Sequence, residues 1–207
     1  GFAKQPAPRR AAALYAAALA HSELREPEQA ERAAADLAPL VAADARAARQ
    51  ARLLQAELAL KAGQPQRVLT LLPGVPTRAD DPKGEAGRPE LLLRARALIA
   101  TNAAAQASDS LQPWVADHPR DAGAWQQLAA AWAAQGQTLR SLRAEAEVQV
   151  AELDYQGAVN RFRAAQDYSR QHPGGNADLI EASIVDARMR ETQAALRQQQ
   201  EAEKKLR

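Results

Sequence analysis

Three histidines, His21, His118 and His172, are the first residues to weigh as chemistry. A zinc-dependent hydrolase needs two imidazoles one helical turn apart, so that both reach one metal, and a Glu to activate water. His21-Ser22-Glu23 has no second histidine at that spacing, and the next along the chain is His118. His118 and His172 each precede a proline at the end of a predicted helix, which suits a loop or helix-terminus role.

Other catalytic patterns are missing too. There is no G-x-S-x-G elbow, no phosphate-cradling glycine loop and no cysteine, which removes disulfides and thiolate metal sites. Glu145 and Glu147 lie with Arg140 and Arg143 on one predicted helix. Their spacing reads as i,i+4 salt bridging on a solvated face rather than as an acid–base pair. Trp125 and Trp132 fall at positions expected to be buried between helices, so packing is favoured over ligand stacking. Trp114, in the last turn of its helix, is expected to be partly exposed. The chain is therefore expected to be non-catalytic, with no cofactor and no metal of its own.

The element that organises these residues is the stretch from Arg88 to Gly136. Leu91 and Trp125, Ala95 and Ala129, Leu98 and Trp132, and Asn102 and Gly136 are pairwise thirty-four positions apart. In each copy a large apolar residue is followed by a small one, a large one and a turn-former, which is the period and pattern of a tetratricopeptide repeat (TPR). The repeat-defining positions are Leu91, Ala95, Leu98, Ala107 and Leu111, then Trp125, Leu128, Ala129, Trp132 and Gly136, with Ala158 and Phe162 in a later helix.

Composition agrees with a helical array. Of 207 residues, 46% are hydrophobic and 25% charged, aromatics are scarce at 4%, and alanine, arginine, glutamine and glutamate dominate. The fold class expected is all-α, a TPR-like helical-hairpin solenoid of about ten helices with a long C-terminal helix. No stretch approaches the ~20 apolar residues needed to span a bilayer, so no transmembrane segment is expected. The chain starts Gly1-Phe2, without an initiator methionine or a signal-peptide pattern, and is expected to be an excised piece of a longer protein.

Residues 1–8 read as an irregular lead-in and 9–207 as a single repeat domain. Leu14, Ala18 and His21 share one face of a first helix, and Pro27 opens a second at a position where its missing N–H costs nothing. Ala30, Ala34 and Leu37 continue the helical spacing there. A second pair follows from Arg46, with Gly63-Gln64-Pro65 as its stop and restart. The Pro- and Gly-rich run 73–89 is a loop insertion, and Asp121 a plausible N-cap. Residues 138–153 form one helix that serves two repeats at once. After His172-Pro173-Gly174-Gly175, Asn176 is expected to cap a terminal helix over 176–207. Leu179, Ile180, Ile184, Val185, Met189 and Leu196 should lie along one side of it, with a frayed end beyond Leu196.

In such arrays the first helix of each pair lines the concave side. That places Leu53 and Glu57, then Leu92, Arg96 and Ile99, and Gln126 in a groove suited to an extended or helical peptide. The Lys/Asn/Arg set of carboxylate-clamp TPRs is missing from these positions. With a net charge of +2, and with Gln126, Ala130 and Ala133 too small and neutral to read bases, no nucleic-acid partner is expected.

The C-terminal third carries a more specific likeness. Trp125, Arg143-Ala144-Glu145, Tyr155 to Ala158 and Ala187-Arg188 resemble features of the C-terminal TPR domain of bacterial periplasmic zinc metallopeptidases of the β-barrel assembly-enhancing type. The likeness is carried from about Ala124 to Thr192. It implies a periplasmic module that docks onto outer-membrane assembly components or substrates. In that family zinc and its HExxH motif belong to an upstream peptidase domain, so none of those residues can be carried over. The alternative is a stand-alone TPR adaptor or assembly factor. The oligomeric state is left open.

Overall fold

The computed structural model describes residues 5–74 and 87–205, apart from the side chains of residues 176 and 177. Most of the expected loop 73–89, and the capping role of Asn176, lie outside the described residues. The rest is helix: α1 (Ala7–Glu23), α2 (Pro27–Val41), α3 (Ala45–Lys61), α4 (Pro65–Leu71), α5 (Arg88–Ala100), α6 (Ala104–Asp117), α7 (Ala122–Ala134), α8 (Thr138–Ala151), α9 (Tyr155–Gln171) and α10 (Asn176–Lys205). No strand occurs among the described residues. The all-α class of TPR-like helical hairpins is what the periodicity calls for.

The chain forms two compact units, Gly1–Thr101 and Asn102–Arg207. In the first, α1 packs on α2, α2 on α3, α3 on α4, and α5 on both α3 and α4. Two apolar clusters hold it. Ala18, Ala30, Ala34 and Leu37 join α1 and α2 to Ala51, Leu54 and Leu58 of α3. Leu53, Ala56, Ala59 and Val68 join α3 and α4 to Ala97 of α5. Alanine at so many contact positions lets helix axes approach closely, because its side chain adds little thickness and gives up no rotamer freedom. In the second unit, α6 packs on α7, α7 on α8, α8 on α9, and α10 on both α8 and α9. Phe162, fully buried, sits among Leu139, Ala146, Ala158, Ala165 and Val185.

Five turns share one device. Arg25, Gly63, Asn102, Gly136 and Leu153 all have left-handed backbones, with φ of 60, 69, 59, 71 and 64°. Each follows the end of α1, α3, α5, α7 or α8 by two residues. At four of them the next N–H closes back across the helix end: Glu26 to His21 O at 2.9 Å, Gln64 to Ala59 O at 2.8 Å, Gln137 to Trp132 O at 2.9 Å and Asp154 to Gln149 O at 2.9 Å. This is the Schellman termination, favoured by glycine because a Cβ opposes the left-handed backbone. The turn after α8 is the same as the turn after α7. Helix α8 packs on both α7 and α9.

Two boundaries differ from expectation. Helix α1 begins at Ala7 rather than at Arg9, because Pro8 falls in the first turn, where no N–H is needed. Helix α10 continues to Lys205 rather than fraying after Leu196. Its Gln, Glu, Ala and Lys residues are good helix formers, and Lys204 and Lys205 in the last turn complement the helix dipole.

Candidate functional site

Charged side chains concentrate where α8 meets α10. Arg188 of α10 binds Glu147 of α8 through both guanidinium nitrogens, Nε to Oε1 at 2.6 Å and Nη2 to Oε2 at 2.7 Å. One turn earlier on α8, Arg143 donates from Nε to Glu181 of α10, and Arg140 reaches the other oxygen of Glu181 at 3.7 Å. Both glutamates are buried, at 4% and 5% exposure. The hydrogen bond to Glu147 holds the Arg188 guanidinium above the ordinary arginine range; burial pulls the other way, and the charges of Glu147 and Glu191 reinforce the rise. Both partners move up in number together, from Arg143–Glu181 to Glu147–Arg188, so α8 and α10 run parallel.

Arg143 also sits between two indoles. Its guanidinium carbon lies 5.7 Å from the Trp125 ring centre and 5.4 Å from that of Trp132, and Arg140 is 6.0 Å from Trp132. Within this range the negative ring faces attract the cation. Trp125 Nε1 donates to the Pro119 carbonyl at 3.0 Å. The cluster walls a cleft of about 400 Å³ that also touches Val115 and Leu128.

These pairs correct the expectation for the α8 charges. They are not i,i+4 bridges on a solvated face: Glu147 points into the unit and pairs with α10, as does Arg143. Glu145 bridges to Arg161 of α9 at 3.2 Å, across the surface. A carboxylate on the inner face of α8 must find a cation there, since burying it alone would cost several kcal/mol. The apolar face expected for α10 is corrected in the same way. Val185 is fully buried and Met189 packs against the core, but Leu179, Ile180 and Ile184 are exposed at 62, 65 and 37%. The buried positions around Val185 are Glu181 and Thr192.

The histidines each have a local partner. His21 Nδ1 contacts Glu26 at 2.6 Å. His118 donates from Nδ1 to the Trp114 carbonyl at 3.0 Å and stacks on the Trp114 ring, centres 4.1 Å apart. His172 and Tyr168 repeat this arrangement, at 3.1 Å and 4.3 Å. The two share the pattern aromatic-x-x-x-His-Pro, of which only the His-Pro helix end was read from the sequence. Trp114 is half-buried, and its Nε1 donates to Asp121 at 2.8 Å, while the other oxygen of Asp121 accepts from Ala124 N–H at 3.1 Å and caps α7.

The groove positions divide. In the first unit Glu57 and Arg96 are exposed and Leu92 and Ile99 half-buried, whereas Leu53 is 8% exposed and lies in the core with Ala56 and Val68. Leu53 is thus packing, not groove lining, because it falls on the α3 face turned to α4 and α5. An ion pair that the sequence did not reveal, from half-buried Arg49 Nε to buried Glu90 Oε1 at 2.6 Å, ties α3 to the start of α5. In the second unit Gln126 lines an open groove of about 410 Å³. Its floor is Ala129, Ala130 and Ala133 of α7, and its walls are Ser141, Glu145 and Val148 of α8 and Arg161 of α9. Ala130 and Ala133 are exposed there.

Among the described residues no group of three or more His, Asp or Glu side chains is placed to hold a metal ion, and no helix is long and apolar enough to cross a membrane. The fold and groove define an all-α helical-hairpin protein. No protein-family model matches the chain, and no curated protein sequence matches it.

Proposed function

We propose that the chain is a non-catalytic protein-recognition module, and that its parent is a periplasmic zinc-dependent metallopeptidase engaged in outer-membrane protein assembly. The observation that carries the recognition part is the α7–α9 groove. It has an exposed alanine floor, with Gln126, Glu145 and Arg161 at its edges to bind a peptide backbone or polar side chains. Small floor residues let a helical or extended segment come close, while the flanking charges give it direction. The parentage rests on the family likeness. Three of its features, Trp125, Arg143 and Arg188, line a single cleft that touches α10.

Two experiments test this. Fluorescence anisotropy with labelled peptides from outer-membrane β-barrel strands should show saturable binding to the chain, weakened by Ala130→Arg; no binding by any such peptide overturns the recognition reading. For the parentage, the gene upstream of Gly1 should encode a domain with an HExxH motif. A gene without one leaves the stand-alone adaptor in its place.

A further inference from the structure

Helix α1 is apolar on every side between residues 11 and 20, AAALYAAALA, where the Tyr15 hydroxyl is the only polar side-chain group. One side, with Leu14 and Ala18, packs on α2. The opposite side is open: Ala12, Ala13, Ala16, Leu19 and Ala20 are exposed and recur at steps of three and four residues. Leu19 is 39% exposed and Tyr15, beside this row, 37%. Helices apolar all round are ordinarily covered, and this row of α1 is open to solvent.

Charge indicates what covers it. Arg9 extends the open row at the N-terminal end and Glu23 at the C-terminal end, and both are exposed. Each has the wrong sign for its end of the helix dipole, and the first turn carries no acid. An antiparallel helix of the same sequence reverses this. Taken about Ala16, the numbering sets Arg9 opposite Glu23 of the second copy, Ala12 opposite Ala20, Ala13 opposite Leu19, and Ala16 opposite itself. Glu23 accepts a hydrogen bond from Lys61 at 3.1 Å on one oxygen, yet its side chain is 79% exposed and the second oxygen can take a further cation.

We propose that α1 is a self-association helix, through which two copies of the chain pair antiparallel about a two-fold axis at Ala16. The contact is isologous, so each copy presents both halves of the Arg9–Glu23 pair. Alanine on and around the axis lets the backbones approach closely. One helix face buries less than a standard interface, so the dimer is weak and forms at high micromolar concentration. The proposal does not rest on the peptide-binding reading, whose groove is built from α7 to α9.

Sedimentation equilibrium over a range of concentrations tests it. Wild type should show a monomer–dimer equilibrium, and Ala16→Glu, which sets two carboxylates together on the axis, should be monomeric with unchanged helicity. Arg9→Glu should raise the dissociation constant about tenfold by turning two attractive pairs repulsive, and adding Glu23→Arg should restore it. Because the chain has no cysteine, Ala16→Cys should oxidise to a covalent dimer faster than a cysteine placed at exposed Ala134. The proposal is overturned by a wild type that stays monomeric at all concentrations, including one whose α1 is shielded by another segment of a longer protein. A dimer indifferent to Ala16→Glu, or equal crosslinking at both cysteines, overturns it as well.

Discussion

Glu147 and Arg188 form a bidentate pair in which the two partners are unequally buried, the carboxylate side chain 4% exposed and the guanidinium 34%. That inequality makes the two single deletions different experiments. Arg188→Ala leaves a carboxylate in the interior with no cation and should cost about 3 kcal/mol. Glu147→Ala leaves an arginine that keeps Glu191 and reaches water, so its cost should be nearer 1 kcal/mol. Urea unfolding of both variants checks the order, and equal losses would show that burial does not govern the pair. The raised pKa of Arg188 adds stability that is fully present below the ordinary arginine range. It should therefore contribute no pH dependence between pH 6 and 9.

Arg143 is held by Glu181 and by two indole faces, and lysine can replace only the charge. Arg143→Lys should lose the stacked planar contact and cost about 1 kcal/mol. Tryptophan emission is the direct readout. It should shift as Trp125 and Trp132 lose the planar guanidinium between them, whereas a purely charge-based role would leave it unmoved.

Asp121 serves two donors at once, the α7 N-terminus and the Trp114 indole. Asp121→Ala should cost about 2 kcal/mol, from the lost cap and the half-buried N–H left without its partner. Asp121→Asn keeps an acceptor for one of them and should recover about half of that loss. Thermal melts in the two variants separate these amounts.

What was legible beforehand depended on how local the cause was. The period linking Leu91 to Trp125 and Leu98 to Trp132 reports burial along one helix face, and all four are buried. Asn102 and Gly136, at the same period, share the left-handed turn because helix termination is set within a few residues. The single helix between Gly136 and Asp154 could be read from its period. The ion pairs could not, since Arg143 and Glu181 are separated by 38 positions and Glu147 and Arg188 by 41. Nothing in the local i,i+4 pattern says which face of α8 turns inward once α10 packs against it. Leu53 failed for the same reason: a consensus register places it on the open side, and the packing of α4 and α5 decides otherwise.

Leu153 occupies the left-handed turn after α8 with φ of 64° and a side chain 58% exposed. A Cβ is unfavourable there, and little apolar burial is lost on removing it. Leu153→Gly should therefore stabilise the protein by about 1 kcal/mol. Gly136→Ala, at the equivalent turn with φ of 71° and open space around its Cα, should destabilise it by a similar amount through the backbone alone, about 1 kcal/mol. Opposite signs at two turns of one type, measured by urea unfolding, isolate backbone strain from packing.

Alanines on α7 separate stability from recognition. Ala131 is fully buried and Ala129 nearly so, while Ala130 and Ala133 face the open groove. Ala131→Leu must push apart packed helices and should cost about 2 kcal/mol. Ala130→Arg and Ala133→Glu meet only solvent in the free protein and should change stability by no more than about 0.5 kcal/mol. Each fills part of the floor that a peptide would occupy, so each should weaken peptide binding while leaving the melting curve in place. A pair of groove variants that bind as well as wild type would locate recognition elsewhere on the surface, and a pair that unfold would show the floor to be core.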